Sequence, residues 1–223
     1  MKPFYFYSFL TFFLVLIFPT LQQNLACNSN DGNKLVTCYG QFLSSLNLNI
    51  TNGSNGTITP TFSEYFVAYI EYLTFNRLSG FNQTCEWVSS RASCLGNDGA
   101  NCLNFDSFQK YLGLGFDDAY EYLGTYATDI WSCNDGFSLF YQNFYCIDSI
   151  YAFHGTDIQQ CYETFLNSIR GGINCGAFVN LINCYKTTYT KYCGSIGGYI
   201  GCNLATVQAQ IDTNQCNNQL PKC

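Results

Sequence analysis

The chain has 223 residues, a formal charge of -6, 48% hydrophobic and 18% aromatic residues, and only 11% charged ones. That composition supplies apolar area for a core and excludes a disordered or collagen-like chain. Nine basic residues with no cluster among them cannot neutralise a run of phosphates, which excludes nucleic acid as a partner.

The N-terminus carries one positive charge, Lys2. An apolar stretch from Tyr5 to Phe18 follows, interrupted only by Ser8 and Thr11, and it ends at Pro19 and a polar run from Thr20. The order charged, apolar, polar, in a stretch shorter than the ~20 residues that span a bilayer, predicts a signal peptide over residues 1–22, cut between Thr20 and Ala26. The mature chain then begins near Cys27. No second apolar segment reaches spanning length, and Asn203 to Cys223 is too polar for a lipid-anchor signal, so the expectation is a secreted, extracellular protein with no membrane span in its mature chain.

A small irregular N-terminal piece holds Cys27 and Cys38. Its stretch Asn28-Ser29-Asn30-Asp31-Gly32 reads as a turn, since the first acid and the twelfth-position Glu of a calcium loop are both absent and the twelfth place is Tyr39. Residues 47–60 have the Asn, Gly and Thr content of a loop. Three glycosylation acceptors crowd into it at Asn49, Asn52 and Asn55, and a fourth is Asn82. Thr61 and Glu64 then form a capping box, where the hydroxyl accepts from a free amide and the carboxylate reaches back. Phe62, Phe66, Tyr69, Ile70 and Leu73 repeat behind it at helical spacing, and Gly80 reads as the stop.

Phe116 to Cys133 and Phe137 to Ile150 also read as helices, separated by a turn at Asp135-Gly136; Asp98-Gly99 marks another turn. Thr156 and Gln159 repeat the capping pattern ahead of Ile158, Cys161, Tyr162, Phe165 and Ile169, with Gly171 and Gly172 as the end. A further helix from about Gly176 to Cys193 buries Phe178, Leu181, Ile182, Tyr185, Tyr189 and Tyr192, and Gly194 terminates it. The two should form an antiparallel hairpin whose turn centres between Gly172 and Ile173, which brings Cys161 level with Cys184 and predicts a bridge between them. Cys175, Cys184 and Cys193 are nine apart, two and a half helical turns, so the outer two face away from Cys184 and need other partners. No repeat emerges beyond that spacing of nine, and no strand alternation is convincing.

The full cysteine set is Cys27, Cys38, Cys85, Cys94, Cys102, Cys133, Cys146, Cys161, Cys175, Cys184, Cys193, Cys202, Cys216 and Cys223. An even number behind a secretory leader reads as a disulfide framework, with roughly 135,000 full pairings. Metal ligation is disfavoured, because no pair has zinc-knuckle spacing and His154 is the sole histidine. The fold class expected is therefore all-α: a disulfide-stapled helical bundle forming a single domain over 27–223.

The run from Cys161 to Cys216, with Cys161-Tyr162, Phe165, Cys175, Cys184 and the pair Cys193-Gly194, resembles the secreted nematode family called domain of unknown function 19. The resemblance spans Cys27 to Cys216. It implies a secreted, cysteine-rich nematode module and brings no activity or catalytic residue with it.

The sequence carries few residues in catalytic patterns. His154 is the only available base, and with no Gly-x-Ser-x-Gly elbow and no adjacent Asp it reads as a surface loop histidine. Asp117, Asp118 and Glu121 are the one tight acidic group, and at a helix start they complement the dipole. Tyrosines from Tyr65 to Tyr199 follow helical spacing and belong to the core, unless some line an aromatic groove. The function expected is a secreted, non-enzymatic interaction module that takes an extracellular protein or small ligand and uses no cofactor and no metal. The alternatives are a carrier of a small hydrophobic ligand, which needs an aromatic cavity of ~300 Å³ or more, and a secreted hydrolase built on His154.

Overall fold

The structure is a computed structural model that describes residues 27–53, 56–213 and 215–223. The expected leader and Asn55 lie outside the described residues. Among the described residues there are seven α-helices: α1 (Ser29–Ser44), α2 (Phe62–Ala100), α3 (Phe105–Leu112), α4 (Phe116–Cys133), α5 (Phe137–Gln142), α6 (Phe144–Ile169) and α7 (Cys175–Asp212). A short antiparallel hairpin, β1 (Thr51–Gly53) and β2 (Gly56–Ile58), pairs Thr51 with Ile58 inside the expected loop, so a ladder exists where the sequence showed none. At three residues per strand, side-chain alternation is too short to register.

Local chemistry explains the helix starts. Asn28 Oδ1 accepts from the amides of Asn30 (2.8 Å) and Asp31 (3.1 Å), so the stretch read as a turn is the first turn of α1. Gly32 is needed there because the Tyr111 ring lies where a Cβ would stand. Thr61 and Glu64 form the capping box at the head of α2, and the bounds of α4 coincide with those expected.

Helix α6 ends at Ile169, just before Gly171 and Gly172 as expected, but other boundaries differ. Gly80 lies buried within α2, which is interrupted earlier at Arg77 (φ 55°, ψ -136°) and again at Gly96 (φ 53°, ψ -162°). Helix α6 runs through Thr156 with one non-helical residue, His154, so the second capping box opens no helix. Helix α7 breaks at Cys193-Gly194 (Gly194 φ 67°, ψ -164°) and resumes through the glycine-rich stretch to Asp212. Gly201 serves that second segment: an added Cβ would stand 2.7 Å from the Tyr189 ring, and glycine lets the helix close over it.

Every cysteine is bridged: Cys27–Cys102, Cys38–Cys94, Cys85–Cys133, Cys146–Cys193, Cys161–Cys184, Cys175–Cys216 and Cys202–Cys223. Each bridge removes loop entropy from the unfolded chain, typically ~2–4 kcal/mol. The fold is thus an all-α bundle stapled by seven disulfides. Two apolar cores fill it. One gathers Leu35, Tyr39, Phe42, Val88, Leu95, Phe108 and Tyr122 from α1 to α4, and the other gathers Phe144, Ile158, Phe165, Phe178, Ile182 and Ala205 from α6 and α7. No helix among the described residues is long and apolar enough to cross a membrane.

Candidate functional site

The α6–α7 hairpin carries a groove of ≈580 Å³, open to solvent. Its walls are helix faces on which polar residues recur at helical spacing, Gln160, Thr164 and Ser168 on α6 and Asn180, Thr187 and Lys191 on α7. Its floor is Phe165, Leu181 and the Cys161–Cys184 bridge. Thr164 and Ser168 donate their protons back to the carbonyls of Gln160 and Thr164, both at 2.8 Å, which leaves hydroxyl lone pairs facing the groove as acceptors.

Asp157 and Lys191 also line the groove, and Tyr192 and His154 adjoin them. Asp157 accepts from Tyr192 Oη at 2.7 Å and from Lys191 Nζ at 3.1 Å, and these two donors hold its carboxyl below the usual range. The His154 ring stacks flat on Tyr192, with centroids 3.8 Å apart and planes within 8°. His154 is therefore a half-buried residue at a helix interruption, where a surface loop was expected. Its chemistry in the structure is stacking, with no hydroxyl or thiol nucleophile hydrogen-bonded to it among the described residues.

The three acids of α4 are separated by task. Asp117 binds Arg170 through both oxygens, at 2.8 and 2.7 Å, and ties the start of α4 to the end of α6. Asp118 accepts from the Phe62 amide at 3.0 Å and so helps cap α2. Glu121 is pushed up to about 8, first by burial and then by Asp118, Asp117 and Glu163, which makes it largely a neutral acid at pH 7. Asn49, Asn52 and Asn82 are exposed, but Thr84 of the last acceptor is fully buried and its hydroxyl donates to the Phe81 carbonyl. A second groove of ≈290 Å³ lies between α4 and α7, apolar along Tyr126, Ile130, Trp131, Val207 and Ile211. Phe75 and Phe153, 87% and 79% exposed, stand beside the interruptions at Arg77 and His154.

Sequence reasoning missed the buried charge. Arg91 lies in the first core with its guanidinium 4.0 Å from the Phe42 ring centre, 4.9 Å from Tyr126 and 5.2 Å from Tyr39, and it donates to Asp129 at 2.9 Å. Burial raises Asp129 to about 6 while Arg91 pulls it down. The signal was present: Arg91 interrupts the otherwise apolar spacing of Val88 and Leu95 on α2. Asp212, at the end of α7, has two buried carboxyl oxygens with no hydrogen-bond partner among the described residues, and burial alone holds it well above the normal range. No group of three His, Cys, Asp or Glu among the described residues could hold a metal ion.

No protein family, no curated protein and no solved structure matches the chain.

Proposed function

We propose that this chain is a secreted extracellular module that acts by binding another molecule and performs no catalysis, on the pattern of the nematode family it resembles. The observation that carries the reading is the pairing of all fourteen cysteines, which suits an oxidising compartment and a rigid frame for a binding surface. The polar-walled α6–α7 groove is the binding face, and its hydroxyls and amides suit a partner that brings hydrogen-bond donors.

Native mass spectrometry after secretion from a eukaryotic host and enzymatic deglycosylation, repeated with a thiol-reactive label under denaturing conditions, tests this. The expected result is an unlabelled chain without adduct. A labelled thiol or retention inside the cell counts against an extracellular module, and a retained small molecule transfers the assignment to a hydrophobic-ligand carrier.

A further inference from the structure

The disulfides divide the chain. Three bridges close residues 27–133 and four close residues 146–223, and none crosses from one part to the other. Within the first part, Cys27, Cys38, Cys85, Cys94, Cys102 and Cys133 pair first to fifth, second to fourth and third to sixth. Cys146, Cys161, Cys175, Cys184, Cys193 and Cys216 pair in the same order, with Cys202–Cys223 added.

The residues around these cysteines agree. Cys38-Tyr39-Gly40-Gln41-Phe42-Leu43-Ser44-Ser45 aligns with Cys161-Tyr162-Glu163-Thr164-Phe165-Leu166-Asn167-Ser168, and Cys, Tyr, Phe, Leu and the last Ser coincide. From the third cysteine of each set, Val88 matches Phe178, Arg91 matches Leu181 and Leu95 matches Tyr185, and all six are buried. Four residues before the sixth cysteine both parts have a buried aspartate, Asp129 and Asp212. Each acts on the tyrosine after its second cysteine, Asp129 on Tyr39 and Asp212 on Tyr162. Helix α1 thus corresponds to the later part of α6, the later part of α2 to the first segment of α7, and α4 to its second segment.

We infer that the chain is a tandem pair of one six-cysteine helical module, and that Asp212 holds in the second copy the place of Asp129 in the first, without the arginine that neutralises it there, so that the second core responds to pH. Leucine at 181 occupies the position of Arg91 and supplies no counter-charge. Asp212 acts on Tyr120 of α4 and on Tyr162 of α6; Glu121 of α4 and Tyr185 of α7 act in turn on Tyr162, and Asp106 of α3 on Tyr120, and none of these groups is basic. The first core has a buried carboxylate with a guanidinium beside it; the second has a buried carboxyl with none. A native state that keeps this proton while the unfolded chain releases it loses stability as pH rises above the ordinary aspartate range.

The test uses the full oxidised chain, with melting temperature followed from pH 5 to 9 for the parent, D212N, L181R and the double variant. D212N is expected to raise the melting temperature at pH 9 by several degrees relative to the parent and to flatten the profile. L181R is expected to stabilise, or to be tolerated, only while Asp212 is present, and to be harmful in the D212N background. An L181R substitution equally disruptive in both backgrounds, or a D212N profile parallel to the parent, overturns the inference. If L181R does not fold, R91L decides from the other copy. Its loss should steepen with pH and be relieved by D129N, and an unrelieved loss refutes the equivalence of the two aspartates.

Discussion

Glu121→Gln isolates the acid at the start of α4. Glu121 goes from an ordinary 4.5 to about 8 in the folded chain, chiefly by burial and then by Asp118, Asp117 and Glu163. A folded value above the unfolded one means that the native state binds more protons between those limits, so stability is fully present below 4.5 and is lost as pH rises through 8. At about 1.4 kcal/mol per tenfold change the upper bound is ~5 kcal/mol, and partial solvent access brings it to about 2–3 kcal/mol. For a chain of this size that is a melting-temperature difference of roughly 5–10 °C. Scanning calorimetry at pH 5, 7 and 9 under non-reducing conditions measures it. Glu121→Gln should match the parent at pH 5 and exceed it at pH 9. Parallel profiles, or a variant weaker at pH 9, refute the reasoning that burial keeps this carboxyl neutral.

Gly113→Ala should cost about 1–3 kcal/mol in chemical denaturation, because Gly113 ends α3 at φ 67° and an added Cβ meets the Thr57 carbonyl oxygen. Replacing Cys161 and Cys184 together by Ala removes the staple of the α6–α7 hairpin and should cost roughly 2–4 kcal/mol, read as a lower denaturation midpoint with the other six bridges intact by peptide mapping. Thr61→Ala deletes the capping box of α2 and should cost ~1 kcal/mol, with the loss confined to faster amide exchange in the first turn.

Much of this architecture is legible in the sequence. The bounds of α4 and the opposed flanks of Cys175 and Cys184 follow from periodicity, since both depend on geometry within one helix. The helix interruptions could not be read. Arg77 and His154 are neither Gly nor Pro, so no residue type marks either break in the sequence. Gly80 and the stretch after Gly194 mislead for the opposite reason: glycine there lets one segment of an interrupted helix lie close against the other, Gly80 against Tyr72 and Asn76 and Gly201 against Tyr189, and intrinsic propensity gives way to that contact. The groove was invisible because Gln160, Thr164 and Ser168 form an unremarkable polar stripe until a second polar stripe faces it.

The internal duplication escaped for a related reason. A spacing of nine between Cys175, Cys184 and Cys193 also occurs between Cys85 and Cys94, but the segment between the second and third cysteines is far longer in the first copy, where the β-hairpin and the first part of α2 are inserted. A fixed-period search fails across such an insertion, whereas bridge order is indifferent to loop length. Bridge order then supplies the physical account of Arg91 that composition lacked. A buried guanidinium is costly unless paired, and replacing one member of a buried pair strands the other. Leu181 fills the core position in one copy and leaves Asp212 to be neutralised by a proton; Arg91 fills it in the other and keeps Asp129 closer to the ordinary range. The two solutions differ in their dependence on pH, so the two cores of one chain should melt apart in alkali and together in mild acid, a divergence that residue-resolved amide protection factors, corrected for the intrinsic pH dependence of exchange, would detect and that an equal change of protection in both cores between pH 6 and pH 9 would refute.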